Sequence, residues 1–296
     1  MKCSMRYKIK HITEYRYQEM VSTGHNRLCL VPLTWDQQKC ISYNVKISPT
    51  PDEQVYRTDF FGNTVLFISN YKEHSQLEIV SESLVDIQNR SNADRAFSST
   101  ILWKDVKNLL TQQPDVYADV AQYTLPSLHV PYSEVIKNFA QDCFADNVTL
   151  WNGCQLLMQK IYSAIEFKPG FTTVNTPVES VVKLRKGVCQ DFAHLMIASL
   201  RNLGLPARYV SGYIETLPPP GKEKLVGSDA SHAWVAVYFP EIGWVEFDPT
   251  NNLLPSYKHI TVAFGRDYFD VAPVKGIIFS SGGQSISVKV DVNRME

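Results

Sequence analysis

The first third of the chain alternates between apolar and polar residues with a period of two, as a half-buried β-strand does. One such face carries Tyr7, Ile9, His11, Thr13, Tyr15 and Tyr17, and another carries Ile41, Tyr43, Val45 and Ile47. Two shorter apolar runs follow at residues 65–68 and 76–80. Several short strands at this spacing predict a β-sandwich-like module over residues 1–90.

Helical spacing replaces this alternation in the middle of the chain. A polar segment begins at Asn89, and we expect a helical connection over residues 91–150. A further helix is predicted to begin at Cys189 and to end at Gly204, just before Pro206. Its predicted buried stripe consists of Phe192, Leu195, Met196, Ser199 and Leu203.

Strand patterns return after this helix, at residues 207–214, 232–239 and 243–248. The tail alternates again, with Ile286, Val288, Val290 and Val292 on one face. We expect Pro218 to Gly221 to form an exposed loop beside the site described below. The order of elements predicts an α+β protein, in which residues 151–296 form a core with a helix on an antiparallel sheet, together with the C-terminal strands.

Composition excludes several classes of protein. The chain has 296 residues, 44% of them hydrophobic and 20% charged, and a formal net charge of −1. It lacks the basic excess that favours nucleic acid or an anionic membrane surface, so we expect neither partner. The first residues lack the continuous apolar core of a signal peptide, and no stretch approaches the roughly 18 apolar residues of a membrane span. We therefore expect a cytoplasmic protein.

The six cysteines are Cys3, Cys29, Cys40, Cys143, Cys154 and Cys189. They form no tight framework and include no CxxC pair, so reduced thiols are expected. On a helix, Cys189 and His194 would point about 140° apart, which disfavours a shared zinc ion. We expect neither a metal nor an organic cofactor.

Cys189 lies where a glycine-containing turn gives way to the predicted helix, in Gly-Val-Cys-Gln-Asp-Phe-Ala-His (residues 187–194). A helix N-terminus carries about half a positive charge and free backbone N–H groups, which stabilise a thiolate over a thiol. Acyl transfer by a thiol also needs a base of near-neutral pKa and a group that orients it. Taken alone, Cys189 is better explained as a small buried hydrophobic residue than as a nucleophile, because free cysteine is among the most buried residue types.

A predicted hairpin supplies the other two groups. His232 opens the apolar run that ends at Phe239, and Asp248 closes the next run. If Val235, Val237, Val245 and Phe247 share one apolar face, residue 235 pairs with 247 and residue 237 pairs with 245. The loop between the two strands then has an odd number of residues. His232 and Asp248 then share the opposite face within side-chain reach. A simple Asp-Pro-Thr turn is the alternative explanation for Asp248.

These three segments, Gly-Val-Cys-Gln-Asp-Phe-Ala-His, Ser-His-Ala-Trp and Phe-Asp-Pro-Thr, resemble the motifs of the bacterial transglutaminase-like superfamily. The resemblance extends to the β-rich N-terminal module and to the Gly-Arg-Asp-Tyr segment at residues 265–268. It implies a papain-type core in which Cys189 is the nucleophile, His232 the general base and acid, and Asp248 its orienting partner.

Further roles are open from sequence alone. An oxyanion needs two donors, and the Cys189 backbone N–H is one candidate. Gln190 and Trp234 are candidates for oxyanion or substrate contact, although Trp234 could instead shield the imidazole. Asp191 and His194 fit the motif, but a helix-start acid and a packed histidine explain them equally well. Arg266 and Asp267 are expected to form a structural ion pair.

The expected function is cleavage of an amide or isopeptide bond in a peptide or protein substrate, through an acyl-enzyme on Cys189. A transglutaminase would form the same intermediate and pass it to an amine instead of water, and the three residues do not distinguish these outcomes. A catalytically idle peptide-binding module is the alternative from a different class, because fold does not imply function.

Overall fold

The structure, a computed structural model, describes residues 4–88, 92–216 and 230–295. Cys3 and the loop expected at Pro218 to Gly221 lie outside these ranges. Among the helices within them, none is both long and apolar enough to cross a bilayer. The cytoplasmic location stays a prediction.

Six strands lead the chain: β1 Ser4–Val21, β2 Thr23–Leu28, β3 Gln38–Ser48, β4 Glu53–Thr58, β5 Thr64–Asn70 and β6 His74–Gln88. The middle is mainly helical: α1 Asn92–Phe97, α2 Trp103–Gln112, α3 Ala118–Ala121, α4 Glu134–Gln141, α5 Leu150–Ala164, the short strand β7 Glu166–Phe167, α6 Val178–Leu184, the short strand β8 Lys186–Gly187 and α7 Cys189–Asn202. The remainder is β9 Ala207–Ile214, β10 Ala230–Phe239, β11 Gly243–Phe247, β12 His259–Gly265, α8 Tyr268–Val271, β13 Val274–Phe279 and β14 Gln284–Met295.

The N-terminal strands form two four-stranded antiparallel sheets, in the orders β14-β1-β6-β3 and β13-β2-β5-β4. An apolar core drawn from both sheets lies between them: Tyr17, Val21, Leu28, Leu30, Leu66, Ile68, Leu77 and Ile79. This arrangement confirms the predicted sandwich, because alternation buries one face of each sheet.

The C-terminal strands correct the predicted domain organisation. The sequence pattern predicts that the tail belongs to the catalytic core, but β13 pairs with β2 and β14 pairs with β1, so both strands belong to the N-terminal sandwich. Val290 and Val292 are buried in this position, whereas Ile286 and Val288 are exposed. The alternation in the tail predicted a strand correctly, but it carried no information on which sheet the strand joins.

A third antiparallel sheet, in the order β11-β10-β9-β12, carries α7 on one face. The α7 residues from Asp191 to Arg201 are all buried, so the helix is enclosed rather than exposing a polar side as its predicted stripe implied. The helix ends as expected, because Gly204 adopts a left-handed φ of 82° ahead of Pro206.

The sandwich contacts the third sheet along its edge strand β12. The Gln38 side chain donates to the Thr261 carbonyl over 2.6 Å and accepts from its N–H over 2.8 Å. Asn63 makes the same two-way contact with Phe264, at 2.7 and 2.9 Å. These buried amides take the place of a neighbouring strand and satisfy backbone groups that an edge would otherwise leave unpaired.

Gly212 allows β9 to pass closely beside its neighbours at the position paired with His232. A Cβ atom there would lie 2.1 Å from the Ile260 carbonyl oxygen and 2.5 Å from the Trp234 ring. We predict that Gly212→Ala costs about 2–3 kcal/mol of stability, because the clashing backbone has little room to move. Gly24→Ala is the matched control in a strand, since its Cβ would meet atoms no closer than 3.7 Å. Thermal unfolding of the two variants measures the difference, and equal melting temperatures would contradict this account.

Candidate active site

The predicted nucleophile, Cys189, is the first residue of α7 and is partly exposed. Val188 precedes it in extended conformation. Asp191 fixes this junction, because its Oδ2 accepts from the Val188 N–H over 2.7 Å and from the Thr172 hydroxyl over 2.5 Å. The chain therefore turns sharply into the helix and presents the thiol at the positive end of the helix dipole.

The hairpin of β10 and β11 has the predicted register. Val235 pairs with Phe247 and Val237 with Val245, and the loop between the strands spans residues 240–242. His232 and Asp248 are brought together as expected, with His232 Nε2 2.7 Å from Asp248 Oδ2. Both side chains are buried.

Asp248 is a charged group in the interior that accepts many hydrogen bonds. Its Oδ2 contacts His232 Nε2, Asn251 Nδ2 at 2.7 Å and His259 Nε2 at 3.1 Å, and its Oδ1 accepts from the backbone N–H groups of Thr250 and Asn251. Burial would raise the pKa of this carboxyl, but the hydrogen bonds from His232 and His259 and the positive charge of His232 hold the pKa well below its ordinary value. Asp248 is therefore a carboxylate at neutral pH.

His232 links Asp248 to Cys189. Burial lowers the pKa of His232, but hydrogen bonds to Asp248 and Cys189 and the charges of both groups overcome this and raise the pKa to about 10. Because Nε2 contacts Asp248, the hydrogen bond with Cys189 is assigned to the other ring nitrogen, Nδ1. This arrangement leaves the imidazole protonated at neutral pH beside the thiol.

Two residues of this cluster were not anticipated from the sequence. His259 opens β12 and is buried, whereas Asn251 lies in the exposed turn after Asp248. The available signal for His259 was that it opens an apolar run, as His232 does. No local pattern indicates that the two runs lie on either side of β9, which is what brings both histidines to Asp248.

The other candidate residues have structural partners. The Trp234 indole N–H donates to Glu246 Oε1 over 2.9 Å, so the expectation that it donates to an oxyanion is not supported. Its ring lies 6.0 Å from that of His232, which fits the shielding alternative. Gln190 is partly buried in the first turn of α7, and its contact with substrate stays a prediction.

The Gly-Arg-Asp-Tyr segment (residues 265–268) makes structural contacts with α7 and α8. His194 Nε2 accepts from the Tyr268 N–H over 3.1 Å, in agreement with a packed, hydrogen-bonded histidine. The expected Arg266–Asp267 ion pair is wrong, since Arg266 binds Asp270 at 3.0 Å. Asp267 instead caps α8 through the Phe269 N–H and accepts from the His129 N–H. A capping acid at the start of a helix faces the N–H groups and not the preceding side chain.

The donor atoms of His232, Asp248 and His259 lie within 4.8 Å of one another, so among the described residues this trio has the chemistry for a cation. In the structure the same atoms make hydrogen bonds to each other. We interpret the trio as a hydrogen-bonded group, because the carboxylate between two imidazoles already has N–H donors.

Comparison with known proteins identifies relatives of both parts of the chain. The profile of the bacterial transglutaminase-like N-terminal region matches residues 7–86, and that of the transglutaminase-like superfamily matches residues 137–249. An uncharacterized protein of Mycobacterium tuberculosis is 35% identical over 97% of this chain and 92% of its own length. A protein-glutamine gamma-glutamyltransferase of Pseudomonas aeruginosa is 38% identical, over 31% of this chain and 14% of that protein.

A crystal structure from Cytophaga hutchinsonii, described as a "putative cysteine protease", has the same fold. Its TM-score is 0.78 at 22% sequence identity, over 99% of this chain and 92% of that one. The predicted α+β architecture is thus confirmed. With both profiles matched in order and a relative aligned over nearly its whole length, the chain belongs to the transglutaminase-like superfamily.

Proposed function

We propose that the protein is a thiol-dependent amide or isopeptide hydrolase that acts through an acyl-enzyme on Cys189. The observation that carries this proposal is the chain of contacts from Asp248 through His232 to Cys189 at the start of a helix. It joins a nucleophile, a proton carrier and an orienting acid in the order that acyl transfer requires.

In the first half-reaction the Cys189 sulfur attacks the carbonyl carbon of the amide. The His232 imidazolium gives its Nδ1 proton to the leaving nitrogen, the C–N bond breaks, and an amine departs from the thioester. In the second half-reaction Nδ1 takes a proton from water, whose oxygen attacks the thioester. The carboxylic acid leaves, and the thiolate and the imidazolium are restored. Asp248 keeps Nε2 protonated throughout, so that Nδ1 is the nitrogen that exchanges protons.

The negative oxygen of each tetrahedral intermediate needs donors that are already in place. The backbone N–H of Cys189 lies at the start of α7, where the first N–H groups have no partner within the helix. We include this N–H in the proposal as one donor, with Gln190 as a candidate for the second.

The alternative is a protein-glutamine transglutaminase, in which an amine replaces water. The local match to the Pseudomonas aeruginosa protein-glutamine gamma-glutamyltransferase favours this second candidate, although it covers 31% of the chain. We place hydrolysis first because the expected cytoplasmic location offers no evident extracellular crosslinking task. A catalytically idle peptide-binding module would have no use for a buried, fully hydrogen-bonded Asp248.

We predict that Cys189 is alkylated at pH 6 at least about tenfold faster than any other described cysteine. Burial raises the pKa of Cys29 to about 12, of Cys143 to about 11, and of Cys40 and Cys154 as well. The His232 pKa of about 10 keeps an imidazolium beside Cys189 at this pH. Mass-spectrometric mapping after brief iodoacetamide treatment measures the rates.

His232→Gln is the control for this labelling, because it removes the cation and is expected to abolish the fast reaction at pH 6 while sparing that at pH 9. Slow, uniform labelling, or a preference for Cys29 or Cys154, would refute the assignment of the nucleophile.

We expect Asp248→Asn to reduce turnover by roughly 10³–10⁴-fold. The new amide keeps its oxygen toward the N–H groups of Thr250 and Asn251, so its NH₂ faces His232 Nε2. Two donors then oppose each other, and the imidazole must carry its proton on Nδ1, where the ring can no longer take a proton from the Cys189 thiol or from water. Turnover is measured beside a melting curve, and the fold is expected to persist. Near-normal turnover would show that Asp248 is only a turn residue.

Product analysis distinguishes the three functions. A library of glutaminyl peptides and isopeptide-linked peptides is incubated with a primary amine at millimolar concentration, with Cys189→Ala as the blank. A hydrolase is expected to release acid and amine or ammonia, with minor amine capture. Dominant formation of the substituted amide would establish the transglutaminase instead. Retention of peptides without either product would identify a binding module.

A further inference from the structure

His259 is a second histidine in contact with Asp248. It is 1% exposed, and its Nε2 lies 3.1 Å from Asp248 Oδ2, the same oxygen that binds His232 at 2.7 Å. The two imidazole rings have centroids 5.9 Å apart. One carboxylate oxygen thus serves two histidines, which lie on β10 and β12.

A backbone contact sets the tautomer of His259. Its Nδ1 is 3.3 Å from the Ser256 N, and an N–H can only donate. Nδ1 therefore accepts, and the proton of the neutral ring is on Nε2, which donates to Asp248. His259 is in this way a neutral donor to the carboxylate, whereas His232 is a charged one.

Asp248 is held in position by contacts other than the one with His259. Oδ1 accepts from two backbone N–H groups of the following turn, and Asn251 binds Oδ2 at 2.7 Å. The contact with His259 adds a further donor to an oxygen that already binds His232. Each donor withdraws electron density from a shared acceptor, so the oxygen becomes a weaker partner for the others.

We propose that His259 is a positioning residue that acts through Asp248, and that it limits how tightly the His232 imidazolium is held by sharing the oxygen that binds it. This proposal rests on the proposed function, in which His232 must both carry a proton and release it to the leaving nitrogen. An imidazolium that is held too tightly gives up that proton slowly.

The groups that act on the His232 ring come from three elements. Cys189 of α7 and Asp248 after β11 are its charged or titratable partners, and His259 of β12 reaches it through Asp248. Glu246 on β11 is hydrogen-bonded to Trp234. Removal of the His259 donor therefore leaves the other named charges unchanged.

Three substitutions isolate the donor. His259→Leu removes it, His259→Gln returns an N–H near the position of Nε2, and His259→Asn places its amide near Nδ1, toward Ser256. Selective ¹⁵N labelling of histidine allows the His232 ring to be titrated by NMR from about pH 7 to 12, with His232→Gln for assignment. This readout needs no substrate, so it reports on His259 even if the proposed hydrolysis fails.

We expect the His232 titration to move up by about one pH unit in His259→Leu and His259→Asn, and to stay near the wild-type value of about 10 in His259→Gln. In the hydrolase assay, kcat is expected to fall about tenfold in the first two variants with KM unchanged, and to recover in His259→Gln. If His259→Leu does not fold, the Asn and Gln variants give the same comparison.

Three results would overturn the proposal. An unchanged His232 titration in His259→Asn would mean that the hydrogen bond from His259 to Asp248 has no effect on the pKa of His232. Equal kinetic losses in the Asn and Gln variants would indicate packing alone. Loss of activity on treating the wild-type protein with EDTA would mean that a cation, and not a proton, joins the two histidines.

Discussion

The site depends on keeping one carboxylate charged in the interior. Asp248 is fully buried, and an isolated ion at such a position would be neutralised by a shift of its pKa. Five hydrogen bonds offset this cost. Their donors come from β10, β12 and the turn after β11, so three separate segments contribute to holding the charge. The ionisation state of Asp248 is in this sense a property of the whole sheet.

The nucleophile is held by different means. Its position follows from the start of α7, which Asp191 fixes from within and Tyr268 steadies through His194. The helix is enclosed along most of its length, so it has little freedom to tilt. A rigid helix on one side and a hydrogen-bonded sheet on the other define the spacing between the Cys189 thiol and the His232 imidazole. Under the proposed function, such preorganisation removes the need to reorder the groups during reaction.

The local parts of this arrangement could be predicted from sequence because their spacing is short. The register of β10 and β11 follows from the apolar residues of both strands, which must share one face. This register brings His232 close to Asp248 across a loop of a few residues. The start of α7 follows from the glycine-containing turn before it. The long-range pairings could not be predicted in this way. Periodicity identifies a strand and its buried face, but not the partner strand, as the tail that joins the N-terminal sheets demonstrates.

His259 connects the locally determined hairpin of β10 and β11 with the long-range contacts of the N-terminal sandwich. Its strand, β12, has its outer edge bound by Gln38 and Asn63, whose partners are 223 and 201 residues away in sequence. The N-terminal sandwich thus sets the position of the strand that delivers a donor to Asp248. The sandwich therefore supports the charged centre of the site as well as forming a module beside it. A change at Gln38 that moves β12 would reach Asp248 through His259, and it would also reach the strand of His232 through β9, which pairs with both β12 and β10.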